Sequence, residues 1–173
     1  VTGGAGFIGS HLTEELVKIG ANVRCLVKYD SKGGVGNLKK LPEDLFAKLE
    51  IVREDLRDIE SVKRAVEGED VVFHLGALIS IPYSYENPRG YIETNVIGTL
   101  NVLKAAKENK VKKVINASSA CIYGQKSAST REEDDQNPNW SYGVSKLAAE
   151  KYATIYNIYQ NVPTVNLRYA ITY

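Results

Sequence analysis

The chain opens Val1-Thr2-Gly3-Gly4-Ala5-Gly6-Phe7-Ile8-Gly9-Ser10, and the reading of this stretch decides the fold. Val1 and Thr2 read as a strand end, the glycines as a tight turn, and Phe7 onward as a helix. Gly3, Gly6 and Gly9 recur at every third position. Glycine supplies backbone dihedrals closed to other residues, and its missing side chain lets a pyrophosphate approach the N–H groups of a helix N-terminus. Phe7, Ile8, Leu12, Leu16 and Ile19 recur at helical spacing, so they are expected to form the apolar stripe of that helix, which Gly20 stops. A glycine pattern alone also fits an ordinary turn. The apolar run at 21–27 lifts this one, because strand, glycine turn, helix and strand is the context in which such a turn holds phosphate.

Outward from that stretch, further strands are expected at 49–53, 70–75, 111–117 and 164–167, and helices at 42–48, 61–66, 89–108 and 141–159. In helix 89–108 the apolar stripe is Ile92, Val96, Leu100 and Leu103. Segments 28–36, 76–88 and 125–139 read as loops. The alternation predicts an α/β fold, a doubly wound parallel sheet with helices on both faces. Ligands of such sheets lie at the carboxyl ends of the strands. Those ends hold the unusual residues: Gly3 to Gly9, Lys28 to Asp30, Asp55, Gly76-Ala77, Ser118-Ser119 and Tyr169.

Composition bounds the rest. With 173 residues, 43% of them hydrophobic, the chain has the material for one globular domain with a sizeable core. A net charge of +1 gives no electrostatic ground for binding nucleic acid. No apolar run approaches the ~18 residues of a membrane helix. Cys25 and Cys121 have no partner spacing and read as reduced thiols, which points to a cytoplasmic protein. The chain starts inside its first strand and stops just after a strand-like run, so residues 1–173 are expected to be a fragment cut at both ends.

The chemistry centres on Tyr142-Gly143-Val144-Ser145-Lys146, which places Tyr142 and Lys146 on one helix face, four residues apart. A phenol with a pKa of ~10 is a poor base at neutral pH. A nearby ammonium favours the phenolate, as would the positive ring of a nicotinamide. A shift of ~3 units needs roughly 4 kcal/mol of differential stabilisation. A hydroxyl from another segment would complete the set by holding the substrate oxygen. The same Tyr–Lys spacing occurs on ordinary solvated helices; its conjunction with the glycine turn and with Ser118-Ser119 favours catalysis.

Taken together, these motifs resemble the extended short-chain dehydrogenase/reductase superfamily, and within it the NAD-dependent epimerase/dehydratase group that acts on nucleotide sugars. The resemblance runs from the opening glycine turn to Leu167-Arg168-Tyr169. It implies a Rossmann-like NAD(P)-binding domain over residues 1–173, with the substrate lobe outside this chain. It also implies that Tyr142 is the base, Lys146 its partner and a ribose ligand, and Ser119 the catalytic hydroxyl. Gly3, Gly6, Phe7, Ile8 and Gly9 would contact the cofactor, Asp55 and Leu56 the adenine, and Leu75, Gly76 and Ala77 would run beside it. Asn95 matches a structural asparagine. The group's two long helices, here 89–108 and 141–159, often pair in a homodimer.

Departures from the group's pattern sharpen the reading. Where many members carry a ribose-binding acid after the second strand, this chain has Val27, Lys28, Tyr29 and Asp30. Lys28 suits a 2′-phosphate and Asp30 a ribose hydroxyl, which leaves NAD or NADP as the cofactor. Dehydratases of the group follow the catalytic hydroxyl with Asp-Glu; here Ala120 and Cys121 stand there, which favours epimerisation through a 4-keto intermediate. The Ile81-Pro82-Tyr83-Ser84-Tyr85 run leans towards a 4,6-dehydratase or reductase, and a non-catalytic dinucleotide sensor is the alternative of another class. His74 reads as a satisfied core histidine and His11 as solvated or capping. No metal site is expected. The acids at 132–135 read as a solvated loop, Cys121 as a packed thiol, and Tyr152, Tyr156 and Tyr159 as packing surface.

Overall fold

The computed structural model describes residues 1–126 and 129–173; Ser127 and Ala128, within the loop expected at 125–139, lie outside the described residues. Its strands are β1 (Val23–Val27), β2 (Leu49–Arg53), β3 (Val71–His74), β4 (Lys113–Ser119) and β5 (Thr164–Tyr169). β1 pairs with β2, and β3, β4 and β5 pair in that order, all parallel. Thr2 joins the two groups, bridging to Leu26 on one side and to His74 on the other. Its backbone is held by Thr2 N–H to the Phe73 carbonyl at 2.9 Å and by Leu75 N–H to the Thr2 carbonyl at 3.2 Å. Residues 1–2 therefore sit at the centre of one sheet, ordered β2, β1, Thr2, β3, β4, β5. The glycine turn leaves from that centre, at the reversal of strand order where doubly wound sheets bind ligands.

Helices cover both faces, as the alternation predicts. Helix α1 (Phe7–Lys18), a 3₁₀ turn (Gly36–Lys40) and α2 (Glu43–Phe46) pack on Val23, Cys25 and Val27 with Leu38 at the centre. Helix α3 (Ile59–Val66), α6 (Gly98–Glu108) and α7 (Ser141–Tyr159) pack on the other core, around Leu26, Val62, Val102, Leu103, Val114 and Ala153. Val165 and Leu167, which alternate with the α7-bonded residues of β5, are each 39% exposed on the opposite face. Among the described residues, no helix is long and apolar enough to cross a membrane.

Three local expectations are corrected. The inward face of α1 is Gly9, Ser10, Thr13 and Val17, while Phe7 and Ile19 are exposed. Small residues there let the helix lie close to the sheet: a Cβ on Gly9 would stand 2.2 Å from the Gly3 carbonyl oxygen. The segment 76–88 is not all loop, because Ser80 caps a short helix, α4 (Ile81–Glu86), by accepting Tyr83 N–H at 3.3 Å. The helix expected at 89–108 is three pieces: α5 (Pro88–Tyr91), a π-helical segment (Ile92–Ile97) and α6. The π segment shifts the helical phase. The inward residues of the whole run from Pro88 to Glu108 are thus Tyr91, Asn95, Thr99, Val102 and Leu103, whereas Ile92 is 55% exposed.

Candidate active site

A cavity of about 950 Å³ runs along the carboxyl ends of the strands. Every residue proposed from sequence for catalysis or cofactor binding lines it: Gly3, Gly6, Phe7, Ile8, Gly9, Lys28, Asp30, Asp55, Leu56, Leu75, Gly76, Ala77, Ser119, Tyr142 and Lys146. These residues are distant in sequence, and the sheet brings them onto one surface.

The middle of the cavity is the glycine turn. Gly3 has φ +70°, and a Cβ there would lie 2.7 Å from the backbone nitrogen of Gly76, so two chain segments touch where only hydrogen fits. Gly6 N–H donates to the Gly3 carbonyl at 3.0 Å and Gly6 caps α1 without any side chain. The first N–H groups of this helix are left for an anion. Gly3 and Gly9 are crowded by backbone and a Cβ on Gly6 would itself stand 3.2 Å from the Gly3 carbonyl oxygen, so the three glycines form a bare backbone cradle that fits a pyrophosphate.

One end of the cavity is buried and carries Tyr142, Lys146 and Ser119. Tyr142 is 9% exposed, Lys146 7% and Ser119 7%. Tyr142 stands in the first turn of α7, where its N–H donates to the Ser84 hydroxyl at 3.2 Å; α4 thus caps α7 from outside. The Tyr91 ring meets Tyr142 edge-on at 6.3 Å. Ser119 ends β4 and accepts the Cys121 N–H at 3.1 Å, which uses an oxygen lone pair and leaves the hydroxyl proton to be donated. Burial lowers the Lys146 ammonium to about 8. Burial also raises the Tyr142 phenol, and the neighbouring Ser119 hydroxyl offsets this only in part. The expected lowering of Tyr142 by Lys146 is therefore not realised in the protein alone, because desolvation dominates at both groups.

Two buried networks hold this end in place. His74 Nδ1 lies 2.8 Å from the Thr2 hydroxyl and Nε2 lies 2.9 Å from the Thr99 hydroxyl. Thr99 spends its single proton on the Asn95 carbonyl at 2.6 Å, so it must accept from His74. Nε2 thus carries the proton and Nδ1 accepts from Thr2, which itself accepts the Gly76 N–H at 3.0 Å. Burial, then the Lys146 charge, lowers His74 to about 3. The core-histidine reading is borne out. Asn95 is structural as expected: its amide exchanges two bonds with the Leu78 backbone and donates to Ser145 at 3.0 Å.

The second network was not read from sequence. Glu150 is 4% exposed and lies two helical turns after Tyr142. It accepts from Ser118 at 2.5 Å and from the Arg168 guanidinium at 2.7 Å. Arg168 also holds the Tyr123 hydroxyl and the Glu132 carbonyl. The pair ties α7 to the ends of β4 and β5, next to Ser119 and Tyr169. An acid at the position eight after Tyr142, on the same face, was the available signal.

The other end of the cavity is open and charged. Lys28 and Asp30 are both exposed. Asp30 accepts the Lys32 N–H at 3.0 Å within its own turn. Asp55 is gripped by Arg57, whose hydrogen bond holds the carboxyl below its ordinary value. Leu56 is buried, its side chain against Gly76 and Gly98. Elsewhere, Cys25 is buried and Cys121 partly so, both free. His11 is exposed, and the acids at 132–135 lie on an exposed or half-exposed stretch. Tyr156 packs on the core, while Tyr152 and Tyr159 are exposed. Among the described residues no cluster of potential metal ligands occurs.

The chain is similar to several known proteins. A family model described as GDP-mannose 4,6 dehydratase matches residues 1–173. A UDP-N-acetyl-alpha-D-glucosaminuronate decarboxylase of Bacillus cytotoxicus is 38% identical over 98% of this chain and 52% of its own length. A putative UDP-glucose 4-epimerase of Methanocaldococcus jannaschii is 34% identical over 100% of this chain and 55% of its own. Among solved structures, Thermus thermophilus UDP-glucose 4-epimerase in complex with NAD superposes with a TM-score of 0.85 at 35% identity, over 97% of this chain and 53% of that one. The chain spans about half the length of the relatives it matches.

Proposed function

Since the chain belongs to the NAD-dependent epimerase/dehydratase family of extended short-chain dehydrogenases/reductases, we propose that it is the NAD(P)-binding part of a nucleotide-sugar epimerase. The observation that carries this reading is the convergence of Tyr142, Lys146 and Ser119 on the buried end of a cavity whose middle is a glycine cradle. A bound oxidised nicotinamide dinucleotide supplies a hydride acceptor and a positive ring that offsets the burial of a phenolate. Tyr142 then takes the proton of a sugar hydroxyl. Ser119 donates to the same oxygen and keeps it in place as it becomes a carbonyl. Lys146 binds ribose hydroxyls and steadies the phenolate. After the 4-keto sugar turns over, Tyr142 would return to the sugar oxygen the proton it took, so the acid–base cycle closes with no net gain or loss of protons.

Ala120 and Cys121 follow Ser119 in a tight 3₁₀ turn, Ala120–Tyr123. This strand end carries no carboxylic acid to expel a hydroxyl, which supports epimerisation over dehydration. A 4,6-dehydratase is the second reading, favoured by the description of the matching family model. Product mass separates the two in the full-length enzyme: an isomer of equal mass for the epimerase, loss of one water for the dehydratase. Loss of water would overturn the first reading.

Residues 1–173 form the cofactor domain in this reading, and NAD is the cofactor of the Thermus relative. Val144, Tyr152, Ile155, Ile158 and Tyr159 leave an exposed apolar face on α7. That face fits the proposed homodimer through α7 and the helical run from Pro88 to Glu108. The two free thiols suit a cytoplasmic setting.

A further inference from the structure

The proposed reaction uses Tyr142 and Lys146 but not Glu150, which stands four residues after Lys146 on the same helical stripe. Its carboxylate is buried, and the hydrogen bonds it accepts come from the ends of β4 and β5. Arg168 supplies Nη2 to Oε1 at 2.7 Å and Nε to the two oxygens at 3.1 and 3.2 Å. Ser118 supplies its hydroxyl proton to Oε2 at 2.5 Å. A buried charge has to be paired, and Arg168 pairs it. An apolar pair of similar volume would join α7 to β5 as well. It would leave the buried Ser118 hydroxyl without that acceptor.

What the pair anchors is Ser119. Ser118 and Ser119 are joined by one peptide at the end of β4, in register with Arg168 and Tyr169. Beyond them the chain turns at Ala120–Tyr123, and the Cys121 N–H closes on the Ser119 hydroxyl oxygen at 3.1 Å. Arg168 also holds the far end of that turn, by the Tyr123 hydroxyl, with its guanidinium carbon 5.1 Å from the Tyr123 ring centre. Ser119 is therefore bracketed, with Glu150 on the residue before it and Arg168 on the residue that ends the turn after it. This fixes the Ser119 oxygen while its proton is left to be donated. Burial raises the Tyr142 phenol, and the Ser119 hydroxyl is the neighbour that opposes the rise. We propose that Glu150 is a positioning residue, which through Ser118 keeps the Ser119 hydroxyl directed at the Tyr142 phenol. The proposal rests on the reading of Tyr142 and Ser119 as a reacting pair and adds to it the group that holds them together.

The test follows ionisation of Tyr142 in the full-length enzyme with NAD added, as the phenolate absorbance that disappears when Tyr142→Phe is introduced. A hydrogen bond donated to a phenolate favours it. Ser119→Ala is therefore expected to raise the midpoint by about one pH unit, a tenfold change in the ionisation constant. Ser118→Ala should raise it by about half a unit, roughly threefold. The double variant Glu150→Met/Arg168→Met, which makes the pair apolar without altering net charge, should do the same. In a Ser119→Ala background neither change should move the midpoint further. The other titratable groups at this end, Cys121, Tyr91 and Lys146, are kept in every variant. Ser118→Ala removes one hydroxyl and leaves the ion pair in place, so it serves if the double variant melts early in parallel thermal scans. A structural role alone would shift Tyr142 equally with and without the Ser119 hydroxyl, or not at all, and either result overturns the proposal. A midpoint that Ser119→Ala itself fails to move overturns the reading of Tyr142 and Ser119 as a pair, and the proposal with it.

Discussion

The two ends of the cavity solve opposite problems. At the buried end, Tyr142, Lys146 and Ser119 are each less than a tenth exposed, and desolvation governs the protonation of Tyr142 and Lys146. At the open end, Lys28, Asp30 and Arg57 are exposed and Asp55 half-buried, and the hydrogen bonds between Asp55 and Arg57 govern the protonation of that pair. A low-dielectric pocket makes a single nearby charge effective, which suits proton transfer. A wet pocket weakens charges and leaves geometry to discriminate, which suits recognition of a cofactor's distal half.

The contrast predicts a graded set of effects. Tyr142→Phe in the full-length enzyme is expected to lower turnover by about 10³-fold, within the usual range for a lost acid–base group, while dinucleotide binding holds; steady-state rates paired with titration check this. Lys146→Met comes next. Removing two charged hydrogen bonds to ribose costs ~1.5–3 kcal/mol each, so dinucleotide affinity should drop at least tenfold. The melting temperature should stay level or rise, because the ammonium is buried at a cost. A fall in both would make Lys146 a structural residue.

The third effect is on stability. His74 is neutral in the folded chain down to a pH of about 3, whereas an unfolded histidine takes up its proton near 6.5. The unfolded state binds more protons across that window, so stability is full above it and declines as pH falls, by up to about 1.4 kcal/mol per pH unit. The lowered carboxyls of Glu54, Asp55 and Asp58 add to the loss further down, below their ordinary range. Denaturant melts at pH 5 and pH 7 should separate, and equal midpoints would contradict the buried neutral histidine. The smallest effect belongs to the open end, where Lys28→Ala should weaken NADPH a few-fold and Asp30→Asn should do the same to NADH. Whichever wild-type affinity is higher assigns the ribose contact.

The sequence was most informative where backbone chemistry is local. The glycine turn, β2 and α7 were legible because a required φ, an apolar run or a long unbroken helical pattern fixes them without help from elsewhere. α7 runs from Ser141 to Tyr159, as expected. The neighbouring helical run from Pro88 to Glu108 was misread in phase, since a π segment leaves no trace in an apolar periodicity and Asn95, a polar residue, is what points inward. α1 was misread for a related reason: its contact face is chosen by closeness to the glycine turn rather than by hydrophobicity. The Glu150–Arg168 pair joins residues eighteen apart, on a helix and a strand, and only the fold brings them together.

The hydrogen-bonded line from the Gly76 N–H through Thr2, His74 and Thr99 to the Asn95 carbonyl has a direction. Each hydroxyl in it receives one proton and gives one, so no member can be reversed without reversing the others. Both ends of the line are backbone groups, the Gly76 amide and the Asn95 carbonyl, so its direction is set by the main chain and His74 is locked with its proton on Nε2. The start of the glycine turn and the π segment are thereby keyed to each other through one imidazole, and a side chain at Thr2 or Thr99 that could not donate and accept at once would break the key at both ends.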